Sequence, residues 1–243
     1  MGQTSKRIMK KHIPNTITCC NLICGCIAVK LAFQGNHEGC FLFIILGAVF
    51  DFFDGFAARL LKVSSPIGKE LDSLADCITF GFAPAALIFF FLNEHIGATQ
   101  PFVPYAAFVL AAFSALRLAK FNLDERQAEG FIGLPTPACA LFWASLFYNI
   151  GADCRLTTWT ANYPLQTAAA VGALLLLSCW ILVSEVPMFA LKFKSFAWGN
   201  NKLRYAFIAA SAVILALCGW GGFAPVILLY VILSVLQNIR KQA

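Results

Sequence analysis

Long apolar runs dominate the chain, broken only by short polar turns or turns bearing glycine and proline. Eight runs, at roughly 15–33, 40–61, 72–92, 103–121, 135–150, 165–183, 204–218 and 223–238, read as membrane-spanning helices. A hydrocarbon core takes about 20 predominantly apolar residues to cross. The fifth and seventh runs are short, so a count of six or seven spans stays open. Between the last two, "CGWGGFAP" supplies the glycines and proline of a tight turn. The opening segment, "MGQTSKRIMKKH", is basic and lacks the apolar stretch and cleavage site of a secretion signal. It reads as a short interfacial helix over residues 1–12. Gly2 follows the initiating Met, but a myristoyl anchor is redundant on a chain that already spans the membrane.

Composition agrees with this pattern. Apolar residues make up 60% of the 243 positions and charged residues 12%, where soluble domains carry about 25% charged. The expected fold is therefore all-α: a polytopic helical membrane protein of about eight spans, forming one domain over 1–243. No repeat, low-complexity segment or long linker divides it.

Charge then sets the orientation. With eight spans, nearly all Lys and Arg residues fall on one side: Lys6 to Lys11, Arg59 to Lys69, Arg117 to Arg126, Lys192 to Arg204, and Arg240 with Lys241. Arg155 stands alone on the other side, and Lys30 lies within the first span. Positive residues concentrate in cytoplasmic loops, so both termini are expected there. The net charge of +6 is thus a topology signal and an attraction to anionic lipids. No basic-aromatic pattern suggests nucleic acid. The ten cysteines lie mostly within spans, without paired CxxC spacing, and read as small buried hydrophobes. Cys40 and Cys154, near the outer face, leave one bridge open. His12, His37 and His95 are scattered near span ends and read as interfacial residues.

Against this apolar background, the stretch "DFFDGFAARLLKVSSPIGKELDSLAD" over 51–76 holds four aspartates. Asp51 and Asp54 are three apart near the end of the second span, and Asp72 and Asp76 are four apart at the start of the third. Such spacings share a helix face. At about 100° per residue, Gly55 and Ala58 join the face of Asp51 and Asp54, and Gly68 joins that of Asp72 and Asp76. The turn "KVSSPIG" lets the two faces converge. An Asp in mid-span costs about 2.5–3.5 kcal/mol on insertion scales, and clustered carboxylates repel unless a cation intervenes. Pairing with Arg59, Lys62 and Lys69 is the plain alternative, but three cations cannot pair singly with four anions. Oxygen-only ligands favour hard cations, Mg²⁺, Mn²⁺ or Ca²⁺. Two such ions suit displacement at phosphorus, and a carboxylate at the edge of the cluster can take the proton of an attacking hydroxyl. Residue chemistry alone points to a metal-dependent phosphoryl-type transferase.

The spaced string Asp51, Asp54, Gly55, Ala58, Arg59, Gly68, Asp72 and Asp76 resembles the signature of the CDP-alcohol phosphotransferases at every motif position. "IPNTIT" in the first span, "RLAKFN" at 117–122 and "GLPTPA" at 133–138 look like its phosphatidylserine synthase branch. The resemblance implies attack by a hydroxyl, here that of L-serine, on the phosphorus next to diacylglycerol in CDP-diacylglycerol, with CMP leaving. It implies Asp51, Asp54, Asp72 and Asp76 as ligands of two divalent cations, Mg or Mn first and Ca second, with Asp76 also the general base. Asn15, Thr18, Gly55, Ala58, Arg59, Ser65 and Gly68 correspond to contacts with the CDP-lipid. It also implies a homodimer among membrane lipids, with the active site on the cytoplasmic face of the cell membrane. The acceptor brings a carboxylate and an ammonium. Arg117 and Lys120, with Asn122, are the nearest groups to receive it, though both cations also fit as positive-inside anchors. Glu185, beside Pro187, is either structural or part of the lipid pocket. The same chemistry with glycerol 3-phosphate or inositol phosphate is the nearest rival, and a cation-coupled transporter the remote one. A transporter commonly shows paired repeats with interrupted spans in both halves, whereas these acids gather in one place.

Overall fold

The computed structural model describes residues 2–63, 65–124, 131–189 and 198–242. Arg126, Lys192 and Lys194, which the charge pattern assigns to the cytoplasmic side, lie outside the described residues. Ten α-helices carry the fold among the described residues. α1 (Gly2–Ala32) runs unbroken through Pro14, so the basic opening segment forms the first turns of the same helix. α2 (His37–Leu61) starts where the Asn36 side chain accepts the Gly39 amide at 2.8 Å. It ends at Lys62, whose left-handed backbone (φ 52°) directs its N–H back to the last carbonyls. α3 (Pro66–Asp76) begins at once, with Ser65 capping the Gly68 amide at 3.0 Å and Pro66 in the first turn. One terminator and one cap, Lys62 and Ser65, therefore build the reversal that sets α2 against α3.

Beyond Asp76 the third span does not continue as regular α-helix. A π-turn (Cys77–Phe82) leads into α4 (Ala83–Ile96). Thr79, fully buried in this π-turn, is pressed between α1 and α2. A Cβ on Gly25 would sit 2.4 Å from Thr79 Oγ1, and one on Gly47 would sit 2.4 Å from Thr79 Cγ2. Only glycine permits three segments to meet this closely.

A 3₁₀ turn (Val103–Phe108) precedes α5 (Val109–Leu123). The chain then pairs β1 (Phe131–Ile132) antiparallel with β2 (Pro187–Met188), Phe131 opposite Met188. Between them come α6 (Thr136–Ala152), α7 (Cys154–Asn162) and α8 (Pro164–Val183). α9 (Trp198–Cys218) and α10 (Phe223–Gln242) close the chain, separated by a 3₁₀ turn (Gly219–Gly222). Ser145 and Asn149 of α6 hold that turn. Asn149 donates to the Gly221 carbonyl at 3.0 Å, and Ser145 Oγ accepts the Ala224 amide at 3.0 Å. The core lies where α4 and α6 meet. Leu87, Ile88, Phe91, Trp143 and Phe147 are buried there, with the Phe91 and Phe147 rings 4.7 Å apart. Large apolar residues elsewhere face outward, among them Phe52, Leu60, Leu165, Leu176 and Leu217, as expected where lipid is the solvent.

Six helical stretches among the described residues are long and apolar enough to cross a bilayer: His12–Ala32, His37–Leu61, Pro66–Ile96, Val103–Leu123, Pro164–Val183 and Asn201–Ile239. The last contains both α9 and α10, and α6, at 17 residues, falls outside the six. The chain is thus an all-α integral membrane protein. α7, nine residues of mixed polarity capped by Asp153, is an element that the hydropathy pattern does not reveal. The open question of a Cys40–Cys154 bridge is answered by two free thiols, Cys40 buried in α2 and Cys154 exposed at the start of α7.

The crossing at Thr79 is testable. Gly47→Ala should destabilise the detergent-solubilised protein by about 1–3 kcal/mol through overpacking, seen as a lowered melting temperature. Adding Thr79→Ser, which removes the clashing Cγ2, should restore part of it. An unchanged melting temperature for Gly47→Ala would show that the crossing is loose.

Candidate active site

α1 lines the site with a stripe of polar residues three apart. Asn15, Thr18 and Asn21 recur on one face, and that face meets the acidic ends of α2 and α3. Thr18 Oγ1 donates to Asp54 Oδ2 at 2.5 Å. Asn21 Nδ2 donates to Asp76 Oδ1 at 2.9 Å. Both aspartates are buried, each at 7% exposure, so these donors stabilise carboxylates largely removed from water. The second carboxylate of each helix pair also points inward. Carboxylate oxygens of Asp51, Asp72 and Asp76 lie within 4.8 Å of one another.

The four predicted metal ligands therefore divide into a cluster of three and a neighbour. Asp54 is turned towards Thr18, while Asp51, Asp72 and Asp76 form the cluster. Two unit charges 4.8 Å apart repel by roughly 3–4 kcal/mol at an effective dielectric constant near 20. Asp72 Oδ1 is buried without a hydrogen-bond partner. A buried acceptor left unpaired, beside two further carboxylates, suits a hard divalent cation with oxygen ligands. The residues present fit such an ion.

Beside the cluster opens a cavity of about 550 Å³, bounded by Asp54 and Asp72. All seven residues expected at the CDP-lipid line it: Asn15, Thr18, Gly55, Ala58, Arg59, Ser65 and Gly68. Gly55 leaves a gap in the wall, with no atom within 4 Å of where a Cβ would stand. Pro14, Lys62, Val63 and Lys69 complete the lining and were not singled out by the sequence. Lys62 and Lys69 add positive charge to that of Arg59 in the lining. Lys69 is held by the Asn122 carbonyl, to which Nζ donates at 2.9 Å.

The residues expected for the acceptor separate. A second cavity of about 280 Å³ is lined by Arg117, Lys120, Asp124, Ser184 and Glu185, with apolar neighbours. Arg117 is buried at 4% exposure; its Nε donates to the Leu134 carbonyl at 3.0 Å and its guanidinium lies 5.1 Å from the Phe121 ring centroid. Its Nη2 is buried and has no hydrogen-bond partner. The backbone that receives Nε belongs to the "GLPTPA" turn. Gly133 there has φ +74°, and a Cβ would stand 2.6 Å from the Leu182 carbonyl, so this turn can seat against α8 only as glycine. Asn122 lies elsewhere: its Nδ2 donates to Ser73 Oγ at 2.8 Å, tying α5 to α3. Asn21 is the site residue that the sequence reading missed. Its signal was its place, three after Thr18 on an otherwise apolar span.

Comparison with known proteins gives the family. The CDP-alcohol phosphatidyltransferase family matches residues 11–191, and the chain belongs to that family. It is 41% identical over 141 residues to a CDP-diacylglycerol–serine O-phosphatidyltransferase of Bacillus subtilis, covering 57% of this chain and 77% of the relative. A protein of the same name from Methanocaldococcus jannaschii is 30% identical over 229 residues, 94% of each chain.

Removing one carboxylate of the cluster should weaken a bound cation. Asp72→Asn should lower the affinity for Mn²⁺, read by electron paramagnetic resonance in detergent without substrates, by about tenfold or more. Wild-type affinity would exclude the cluster as the cation site.

Proposed function

We propose that this protein transfers the phosphatidyl group of CDP-diacylglycerol to L-serine, giving phosphatidylserine and CMP. The observation that carries the reading is the adjacency of two features. A three-carboxylate cluster abuts a cavity lined by all seven residues expected at a CDP-lipid. The names of the relatives support serine as the acceptor.

In this reading the cytidine and diphosphate enter the 550 Å³ cavity. Gly55 leaves room for the nucleotide, and Arg59, Lys62 and Lys69 offer donors to phosphate oxygens. Asn15 and Thr18 border the same space from α1. Asp51, Asp72 and Asp76, with Asp54 beside them, hold two divalent cations, Mg²⁺ or Mn²⁺ before Ca²⁺. When bound, the ions screen the diphosphate and stabilise the charge of departing CMP. The serine hydroxyl oxygen forms the new bond to phosphorus, the bond from phosphorus to the CMP oxygen breaks, and Asp76 takes the hydroxyl proton. Arg117, which lines the second cavity, receives the serine carboxylate. Lys120 adds positive charge, and Asn122 braces α5 against α3.

The same reading includes the membrane arrangement. α6 and the separate α9 and α10 raise the six long stretches to eight spans, with the basic first turns of α1 along the headgroups. Arg59, Lys62, Lys69, Arg117 and Lys120 put the site on the cytoplasmic face, and two copies associate as a homodimer.

An acceptor panel assayed by CMP release tests the function. CMP should appear only with CDP-diacylglycerol, serine and a divalent cation together, and chelation should abolish it. Arg117→Gln should raise KM for serine by about tenfold or more while leaving KM for CDP-diacylglycerol unchanged. Release with glycerol 3-phosphate but not serine would overturn the acceptor. Cation uptake into vesicles without CMP release would overturn the transferase.

A further inference from the structure

Asn21 is fully buried, 55 residues away in the chain from the aspartate it touches. It grips the catalytic helix at two points. Its side-chain Nδ2 donates to Asp76 Oδ1 at 2.9 Å, and its backbone carbonyl accepts Thr79 Oγ1 at 3.0 Å. Thr79 is three residues beyond Asp76, in the π-turn, and is also fully buried. Gly25 and Gly47 bring α1, α2 and this turn close enough for both bonds. The amide orientation is fixed by charge, since turning it over would set Oδ1 against a carboxylate oxygen. In the orientation present, Asn21 Oδ1 has no partner. A buried amide with an unsatisfied oxygen is a poor choice for packing alone, because an apolar side chain of similar size would avoid that penalty. A π-turn following directly on a site residue is likewise a common mark of function.

We infer that Asn21 is a positioning residue for Asp76, with Thr79 as the second half of the clamp. By occupying Oδ1 it fixes the carboxylate rotamer and leaves Oδ2 to face the cation and the acceptor hydroxyl. This rests on the proposed transferase reading for its effect on turnover. Its effect on the cation follows from the acidic cluster alone.

Asn21→Leu keeps the branching and the number of heavy atoms, removes the donor and relieves the unsatisfied amide oxygen, while leaving Asp76 Oδ1 without its donor. Its melting temperature should fall by a few degrees at most. Mn²⁺ affinity, measured by electron paramagnetic resonance without substrates, should fall by about tenfold or more, and kcat by about 10- to 100-fold, with KM for CDP-diacylglycerol held. Asn21→Asp, which sets a further carboxylate against Asp76, should lose at least as much. Wild-type Mn²⁺ affinity and kcat in Asn21→Leu would overturn the inference. So would losses in kcat, KM and melting temperature that move together, since those describe a packing role. Should Asn21→Leu not fold, Thr79→Val keeps the shape and removes only the hydroxyl. It should weaken Mn²⁺ binding by a few-fold at unchanged melting temperature, and full affinity there would overturn the clamp. A wild type that releases no CMP with serine would sink the transferase reading while leaving the Mn²⁺ comparison decisive.

Discussion

Mutual repulsion among three clustered carboxylates, one buried and two half-buried, is the constraint on which the site depends. Asp51, Asp72 and Asp76 bring oxygens within 4.8 Å of one another where α2, rich in phenylalanine and leucine, meets α3. Left alone, that arrangement drives the helices apart or draws in water. The chain opposes this in three ways. The Lys62 terminator and the Ser65 cap fix the α2–α3 reversal. Two glycines let α1 and the π-turn close around Thr79. Two donors on α1, Thr18 and Asn21, each hold one carboxylate. A divalent cation is the remaining counterweight, and the unpartnered Asp72 Oδ1 is an atom that would accept it.

α1 therefore does more than cross the membrane. Its polar stripe reads each neighbouring helix once, Asp54 through Thr18 and Asp76 through Asn21, while Asn15 faces the cavity. Asp54 and Asp76 are thereby set apart in role from Asp51 and Asp72. The acidic cluster and the cavity share the Asp72 wall, so in the proposed reading a diphosphate in the cavity would lie next to the cation that neutralises it. On the wall of the second cavity, Arg117 is anchored through Nε to the Leu134 carbonyl.

Much of this was legible in the sequence because it is local. Helices of the right length follow from apolar runs, and the two carboxylate faces follow from spacings of three and four. Five of the seven cavity residues lie within the α2–α3 hairpin that carries the family signature, and Asn15 and Thr18 come from the resemblance of the first span. What could not be read is what depends on distant segments. The Asn21–Asp76 bond joins residues 55 apart, and nothing within either helix announces it. The π-turn over Cys77–Phe82 is hidden because an apolar stretch of that composition looks the same in either helical form. α7 escaped because nine residues of mixed polarity carry too little periodicity. Asn122, beside Arg117 in sequence, points to α3 because helical rotation separates it from the second cavity.

The most direct measurement is the structure of the protein with Mn²⁺ and CDP-diacylglycerol, using the anomalous scattering of manganese. The predicted result is an anomalous peak bounded by Asp51, Asp72 and Asp76, with the diphosphate beside it and the cytidine against Gly55. A manganese peak away from those three carboxylates, or a nucleotide outside the cavity between α1, α2 and α3, would contradict it.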